Sequence, residues 1–211
     1  WRRDDPEANS RADAERARGA EAIVDLDGAA GRAHKRRLSK AYRHPELDRT
    51  LRRRRTRSEA RLTSEARRVG VPTPVVFDVD PQEASIEFEF VGGADLTDAI
   101  TEPRIRDVGR RLARCHGAGF VHGDPTPRNV RIGSSDDGAD GRTYLIDFGL
   151  GYHTDHVEDY AMDLHVFEGA IAGTADDSTG LIDAFEDAYL DIGDERVVDR
   201  LRAIETRGRY Q

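Results

Sequence analysis

The sequence has very little of several residues whose abundance would point to particular classes of protein. Cys115 is the single cysteine among 211 residues, which excludes an internal disulfide and a zinc site built from cysteines. No apolar run approaches the roughly 18 residues that span a bilayer, and no signal-peptide pattern opens the chain. We therefore expect a soluble, cytoplasmic protein that forms one domain or a compact pair of lobes.

Lysine is also nearly absent. Lys35 and Lys40 are the two lysines, and all other basic residues are arginines in a chain of net charge −8. Within this acidic chain lies a basic block, "RTLRRRRTR", at residues 49–57. The ordinary interpretation is a solvated helix face, but we favour a partner-contacting surface, with nucleic acid as the first candidate class.

Hydrophobic periodicity and turn signals predict the order of the secondary structure. Strands are predicted at residues 20–26 and 31–36, within 71–80 and 84–90, and at 130–132 and 143–148. Helices are predicted near residues 45–69, 104–117, 158–172, 178–192 and 194–205. Residues 1–18 are polar and charged, and we expect a linker or disordered tail there. The fold class is therefore α+β, with a small sheet and one helix in the first half and a mainly helical second half.

The stretch "VHGDPTPRNV" places polar side chains at fixed positions on a loop. Asp124 is followed five residues later by Asn129, and Pro125 and Pro127 keep the segment from being helix or central strand. In "LIDFGLG", an apolar strand ends in Asp147, and a carboxylate at the end of a buried strand needs a compensating cation. A bound metal ion would supply that charge.

These side chains match the requirements of phosphoryl transfer. Asn129 and Asp147 can hold Mg²⁺ against the phosphates of a nucleotide, while Asp124 accepts or orients the proton of the attacking hydroxyl or water. "HGD" followed by "N" and then by "DFG" is a specific signal for this chemistry. His122 is expected to pack beneath the two loops and to hydrogen-bond backbone groups, and the role of catalytic base is the less favoured one.

A nucleotide site of this kind also needs a lysine on a strand and a glutamate on a helix. Lys35 ends the second predicted strand. Because arginine takes the place of lysine almost everywhere else in the chain, the retention of Lys35 favours a specific role for it. Glu59 lies on the following predicted helix, although in a chain with 35% charged residues it could equally be a surface charge. "GAEA", at residues 19–22, occupies the place of a phosphate-covering loop but has a single glycine.

Several stretches resemble the small atypical kinase/ATPase of the KEOPS complex, a Rio-like family also called PRPK, in its archaeal type. They are "GAEA", "KRRLSKAYRHPELD", "RTRSEARL", "HGDPTPRNV", "IDFGLG" and "EDYAMDL". The resemblance implies a compact two-lobed protein-kinase-like fold, with an N-lobe at residues 19–91 and a C-lobe at residues 92–211. It also implies ATP hydrolysis that supports a tRNA threonylcarbamoyltransferase and other KEOPS subunits in making N6-threonylcarbamoyladenosine in tRNA, with Ser/Thr phosphorylation as the activity of the isolated subunit.

The resemblance assigns a role to each candidate site residue. Lys35 contacts the α- and β-phosphates of ATP, and Glu59 pairs with Lys35. Asp124 is the catalytic aspartate, and Asn129 and Asp147 bind Mg²⁺. The remaining assignments are Gly19, Ala20 and Glu21 in the loop over the phosphates, Glu89 and Val91 in the hinge that meets adenine through backbone groups, Asp163 as the brace of the catalytic loop, and Arg207 and Arg209 in a basic tail that engages tRNA.

The sequence departs from the family pattern at a few positions. Pro125 and Pro127 stand where the family usually has Leu and Thr or Ser. The pair "AH" precedes Lys35 where two apolar residues are common, which bears on how well Lys35 is positioned.

Members of the family are sometimes fused behind the transferase, whose end resembles "TWR". Trp1 and Arg2 fit such a fusion junction, and a separate chain stays open as the alternative.

Two other functions remain open at the level of sequence. A small-molecule phosphotransferase of the aminoglycoside or choline type shares the "HGD…N…D" pattern, but 211 residues leave little room for its substrate-binding helices. A non-catalytic adaptor would not need all five site residues.

Nine residues separate Gly149 from Asp159, a shorter segment than peptide-docking kinases use, so water is a plausible phosphoryl acceptor.

Overall fold

The computed structural model describes residues 14–19, 21–92, 94–133, 141–174 and 178–208. The chain divides into two compact units, one formed by residues 1–57 and 75–90 and the other by residues 58–74 and 91–211. Residues 58–74, which the sequence interpretation placed in the first lobe, therefore group with the second unit. Among the described residues, no helix is both long enough and apolar enough to cross a membrane.

The first unit is built on a five-stranded antiparallel sheet with the order β1-β2-β3-β5-β4. The strands are β1 (Ala14–Arg18), β2 (Ala22–Asp27), β3 (Arg32–Arg37), β4 (Val76–Asp80) and β5 (Ser85–Glu89). β1 lies within the residues that were predicted to be linker, and it pairs with β2 along its whole length. The expectation of a tail up to residue 18 is therefore corrected for residues 14–18, because an edge strand can be polar and still hydrogen-bond its neighbour.

The strand β3 lies in the centre of this sheet and carries one of the two lysines. Lys35 is opposite Val24 of β2 and Ile86 of β5. Side chains alternate between the two faces of a strand, and here Lys35 and Arg37 are buried while the residues on either side of Lys35 are exposed. The register of β3 therefore directs Lys35 into the structure.

Helix α1 (Pro45–Arg68) is the single long helix that the charge pattern predicted between the two pairs of strands. Proline is tolerated in a first helical turn, where its missing N–H has no intrahelical acceptor. Glu46 and Asp48 lie in that turn and basic residues lie in the last one, which suits the helix dipole. Gly70 follows with a φ of 80°, a left-handed conformation that glycine adopts without strain and that ends helices.

The second unit is mainly helical, as predicted. Its helices are α2 (Glu102–Gly117), α3 (Val157–Ala172), α4 (Ser178–Leu190) and α5 (Glu195–Gly208). Its described residues also include five short strands: β6 (Ala94–Asp95), β7 (Phe120–Val121), β8 (Val130–Ile132), β9 (Thr143–Leu145) and β10 (Tyr152–His153). β6, β8 and β9 form one small sheet, and β7 pairs with β10.

The core of the second unit lies between these helices and the small sheets. Leu112 of α2, Phe167 of α3 and Phe185 of α4 are fully buried in it, and Cys115 is buried there too. Helices α2 and α4 pack closely because α2 has Gly109, where a Cβ would lie 2.6 Å from the carbonyl oxygen of Phe185. Burial raises the pKa of the Cys115 thiol, which is typical of an unreactive core cysteine.

Candidate active site

The loop after β7 is fixed by one buried carboxylate. Asp163 of α3 accepts hydrogen bonds from the backbone N–H of His122 at 2.6 Å and from that of Gly123 at 2.8 Å. The carboxylate is 3% exposed, so its charge is balanced mainly by these donors and by His116. Both oxygens of Asp163 thus brace the backbone immediately before Asp124, as the family resemblance implied.

Asp163 is itself held by residues that the sequence interpretation did not identify. His116 of α2 lies with Nε2 at 3.2 Å from Asp163 Oδ2 and with Nδ1 at 2.9 Å from the hydroxyl of Tyr189. The His116 ring also stacks on Tyr160, with ring centroids 4.7 Å apart. A histidine in the apolar stretch before "HGD" was the available signal, but only the packing of α2 against α3 and α4 shows what it contacts.

His122 has the structural role that was predicted for it. Its Nε2 lies 2.9 Å from the carbonyl oxygen of Ile146, and its Nδ1 accepts a hydrogen bond from the backbone N–H of Asp124. Complete burial lowers the pKa of His122 below its ordinary value, so the neutral imidazole is favoured. One ring nitrogen then donates and the other accepts, and the ring ties the loop of Asp124 to the segment that leads to Asp147.

Asp124 and Asn129 contact each other across the proline loop. Nδ2 of Asn129 donates to the backbone oxygen of Asp124 at 2.8 Å and to its Oδ2 at 3.0 Å. Residues 127–129 form a short 3₁₀ turn with proline at its start, and the buried Pro125 and Pro127 restrict the backbone around it. Both hydrogen bonds use Nδ2 of Asn129. Its other side-chain atom, Oδ1, is a hard oxygen of the kind that Mg²⁺ prefers.

Asp147 follows β9 in a left-handed backbone conformation with φ 63° and ψ 63°. Few residues other than glycine adopt this conformation, and aspartate is among the more tolerant ones. The predicted strand at residues 143–148 therefore stops at Leu145, because the backbone turns at Asp147 into a 3₁₀ turn over residues 148–150. Such strain clusters at functional sites, where the surrounding structure holds it in place.

Backbone hydrogen bonds bring the two magnesium candidates together. The N–H of Ile146 donates to the carbonyl oxygen of Asn129 at 3.0 Å, and Val130 is opposite Leu145 in the pairing of β8 with β9. Asp147 therefore follows directly from a residue that is bonded to Asn129. The second unit alone thus gathers Asp124, Asn129 and Asp147, the three polar residues that phosphoryl transfer requires.

Two glycines allow this close packing of loops. At Gly123, where φ is 87°, a Cβ would lie 2.4 Å from the carbonyl oxygen of Leu150. At Gly151 a Cβ would lie 2.7 Å from the carbonyl oxygen of Val121. Real Cβ atoms do not approach backbone oxygens so closely, so the "HGD" and "DFGLG" segments fit against each other only because both positions are glycine.

The first unit contains Lys35 and the loop at residues 19–22, of which Gly19, Glu21 and Ala22 are described residues. Lys35 is 9% exposed, which is unusual for a lysine and requires that its charge be compensated. Gly19 donates its N–H to the carbonyl oxygen of Ala22 at 2.9 Å. The carboxylate of Glu21 lies 2.8 Å from Nη1 of Arg55, so this side chain anchors the loop to α1.

The structure also describes Glu59, Glu89 and Val91, the other residues predicted to contact the nucleotide or to support a contact. Glu59 is 1% exposed, so it is not the surface charge that the sequence left open. The N–H of Glu89 donates to the carbonyl oxygen of Val75 at 2.8 Å, and that N–H is therefore not free for a base. Val91 is buried.

Some of the predicted positions lie outside the described residues. These are Trp1, Arg2, Ala20 and Arg209. Arg207 lies within α5, and the structure does not describe its side chain.

No family model matches this chain. Two curated relatives of different length show what it is similar to. A probable bifunctional tRNA threonylcarbamoyladenosine biosynthesis protein of Natronomonas pharaonis is 66% identical over 211 residues, which cover all of this chain and 38% of that protein. A probable serine/threonine-protein kinase BUD32 homolog of Archaeoglobus fulgidus is 42% identical over 177 residues, which cover 83% of this chain and 87% of that protein. The chain thus spans well under half of the bifunctional relative and nearly the whole length of the kinase.

Solved kinase structures share the fold at low sequence identity. The Rio2 kinase of Chaetomium thermophilum, solved with ADP, Mg²⁺ and phosphoaspartate, superposes with a TM-score of 0.60 at 14% identity, over 93% of this chain and 71% of that one. A choline/ethanolamine kinase family protein of Mesorhizobium loti gives a TM-score of 0.60 at 17% identity, over 92% of this chain and 76% of that one. The predicted α+β, kinase-like fold is confirmed.

Proposed function

This chain belongs to the family of BUD32-type serine/threonine protein kinases, and from that premise we propose that it hydrolyses ATP with Mg²⁺ as the kinase subunit of a KEOPS complex. The observation that carries the proposal is the hydrogen-bonded network in which Asp163 braces the loop of Asp124 while Asn129 bonds both Asp124 and the residue before Asp147. An adaptor without catalysis has no need for this network.

Asp124 is the group that would handle the proton of the attacking molecule. Its side chain is partly exposed, and its Oδ2 accepts from Asn129, which fixes the direction of the carboxylate. A carboxylate held in this way can accept a hydrogen bond from water or a hydroxyl and orient the oxygen towards a phosphoryl group. The buried His122 keeps the backbone of Asp124 in place through Nδ1, while its Nε2 bonds the carbonyl oxygen of Ile146.

Asn129 and Asp147 would hold the magnesium ion. The amide oxygen Oδ1 and a carboxylate are both hard oxygen ligands, and Mg²⁺ takes its other ligands from phosphate and water. The left-handed backbone of Asp147 and the 3₁₀ turn at Asn129 fix the two side chains before any ion binds. When bound, the ion would neutralise charge on the phosphates of ATP.

We further propose roles for the remaining predicted residues, of which Glu21, Lys35 and Glu89 belong to the first unit and Glu59 and Val91 to the second. Lys35 would bind the α- and β-phosphates with Glu59 as its partner, as the family resemblance implies, and both side chains are buried. The backbone at residues 19–21 would cover the phosphates, while the Glu21 side chain stays with Arg55. Adenine would be met by backbone groups of residues 89–91 other than the N–H groups of Glu89 and Phe90, which already donate to the carbonyl oxygens of Val75 and Gly31.

Water is the acceptor that the segment after "DFG" favours. β10 pairs with β7, the hydroxyl of Thr154 donates to Asp159 at 2.6 Å, and that of Tyr160 donates to the carbonyl oxygen of Thr154. The segment is therefore short and fastened to the second unit, and it offers little surface on which a peptide substrate could be aligned. Phosphorylation of a protein hydroxyl remains the second outcome of the same chemistry.

The biological role follows from the relatives and is also part of the proposal. The longer relative is named for biosynthesis of threonylcarbamoyladenosine in tRNA, so ATP hydrolysis here would support a tRNA threonylcarbamoyltransferase in forming N6-threonylcarbamoyladenosine. The transferase, other KEOPS subunits and tRNA are the proposed partners, and the cytoplasm is the proposed location. A small-molecule phosphotransferase is the alternative, because a choline/ethanolamine kinase family protein shares the fold.

ATP turnover by purified protein tests the proposal. We expect Mg²⁺-dependent release of phosphate that increases when the transferase is added, and a loss of at least about a hundredfold in Asp124→Asn. Asp183→Asn, which alters an exposed carboxylate of α4, is the matched control and should behave as wild type. Turnover that rises only with choline or an aminoglycoside would favour the alternative, and full activity of Asp124→Asn would refute the assignment.

A further inference from the structure

The basic block at residues 49–57 is not used by the catalytic network. Five of its six arginines fall into two sets, and the sixth, Arg53, is half-buried. In the first set, Arg52 lies 2.8 Å from Asp48 and Arg55 lies 2.8 Å from Glu21. Both arginines therefore have a carboxylate partner within the first unit. Their positive charges are compensated by the fold, and their role is structural.

The second set is exposed and has no such partner. Arg49, Arg54 and Arg57 face solvent, and none of them pairs with a carboxylate in the part of the chain that the structure describes. With about 100° and about 1.5 Å per helical residue, the three side chains lie within about 140° of the helix circumference and along about 12 Å of its length. We call Arg49, Arg54 and Arg57 the arginine face.

The composition of this face distinguishes between kinds of partner. Residues 49–57 contain no aspartate or glutamate, and the other exposed residue among them is Thr50. A stable protein interface has an apolar or aromatic centre. The arginine face itself has none, and the exposed apolar side chain nearest to it on α1 is Leu47, before its first arginine. Binding to a nucleic-acid backbone requires cations alone, and the planar guanidinium group matches phosphate oxygens with two parallel hydrogen bonds.

The net charge of the whole chain is opposite in sign to the charge of the arginine face. Like charges one turn apart destabilise an isolated helix, so an exposed run of arginines has a cost that a polyanion would relieve. The chain as a whole carries a net charge of −8, which would repel RNA everywhere except at local concentrations of arginine. We propose that the arginine face binds the phosphate backbone of RNA, and this inference rests on the proposed function, because tRNA is the substrate class named for the longer relatives.

The test compares two triple variants of the full 211-residue chain. One variant carries Arg49→Gln, Arg54→Gln and Arg57→Gln, and glutamine has nearly the same helix propensity as arginine. The control variant changes three arginines that have carboxylate partners elsewhere, with the same loss of charge: Arg106→Gln, Arg110→Gln and Arg196→Gln. Affinity for an unmodified tRNA transcript is measured by fluorescence anisotropy over a series of KCl concentrations, and folding is checked by thermal melting.

We expect the arginine-face variant to bind tRNA about tenfold or more weakly at moderate salt, with the slope of log K against log[KCl] reduced by about 2–3. The control variant should keep the wild-type slope. Equal slopes for wild type and the arginine-face variant would overturn the inference, as would a wild-type chain that binds no tRNA. Loss of binding to the transferase with unchanged tRNA affinity would also overturn it, in favour of a protein partner.

The result can be separated from the fate of the proposed function. The arginine face lies outside the catalytic network, so the variant should hydrolyse ATP in the absence of RNA at the wild-type rate. Normal ATP turnover with unchanged tRNA binding refutes the arginine face alone. Absence of ATP turnover in the wild type refutes the proposed function, while the tRNA measurement still decides the inference about the arginine face.

Discussion

Replacement of Asp163 by asparagine should separate the bracing of the catalytic loop from the binding of nucleotide. Asparagine offers one acceptor oxygen where the carboxylate offers two, so either the N–H of His122 or that of Gly123 must face an NH₂ group instead. A hydrogen bond to a charged group contributes about 1.5–3 kcal/mol, and a buried donor left unsatisfied costs about 1–3 kcal/mol. We expect a net loss of about 2–4 kcal/mol of folding stability, which for a chain of this length lowers the Tm by about 5–15 °C.

The catalytic consequence should be a selective fall in kcat. A displacement of about 1 Å in a reacting group can reduce the rate about a hundredfold, and Asp163 holds the backbone next to Asp124. The nucleotide contacts of the first unit are untouched, so KM for ATP should stay near its wild-type value. Asp159→Asn is the matched control on the same helix, since Asp159 accepts from Thr154 and not from the catalytic loop; its kcat should change by less than about threefold.

The assay is steady-state phosphate release over a range of ATP concentrations, together with thermal melting of each variant. A wild-type kcat in Asp163→Asn would refute the reasoning, even if the variant melted at a lower temperature. Equal losses of kcat in Asp163→Asn and Asp159→Asn would refute it as well, because the effect would then reflect general destabilisation of α3.

Two further predictions concern stability. Burial, with the nearby carboxylates of Glu186 and Glu205, raises the pKa of Glu168 from 4.5 to about 8, so the neutral acid stabilises the fold at low pH and this contribution is lost as the pH rises towards 8. The Tm of Glu168→Gln should therefore rise relative to wild type between about pH 5 and pH 8, and a difference independent of pH would contradict this. Gly123→Ala should destabilise the protein by more than about 1 kcal/mol, while Gly169→Ala, whose Cβ would meet nothing within 4 Å, should not; equal melting of the two variants would exclude the proposed close contact with Leu150.

The parts of the fold that follow local patterns could be predicted from the sequence. Helix α1 was predicted at residues 45–69 and is found at Pro45–Arg68, because its capping charges and its glycine stop are local signals. The strand β9 is shorter than predicted, since the left-handed turn at Asp147 depends on the loops packed around it and not on the apolar pattern of "TYLIDF". The strand β1 was missed because a polar edge strand has no hydrophobic alternation.

The candidate site shows the same division. Motif spacing identified Asp124, Asn129 and Asp147, and the structure of the second unit brings their backbones together. The contacts of His116 with Asp163 and Tyr189 could not be predicted, because they join three helices that are distant in the sequence. Long-range packing decides which buried polar groups meet, and composition or periodicity carries no information about it.

Binding of ADP in the presence and absence of Mg²⁺, measured by isothermal titration calorimetry, tests the central claim most directly. The claim is that Asn129 and Asp147 together would hold the magnesium ion on which tight nucleotide binding depends. Wild-type protein should bind ADP about tenfold or more tightly with Mg²⁺ than with EDTA, whereas Asp147→Asn should show almost no difference. Undiminished magnesium dependence in Asp147→Asn, with the control Asp183→Asn behaving as wild type, would contradict the account.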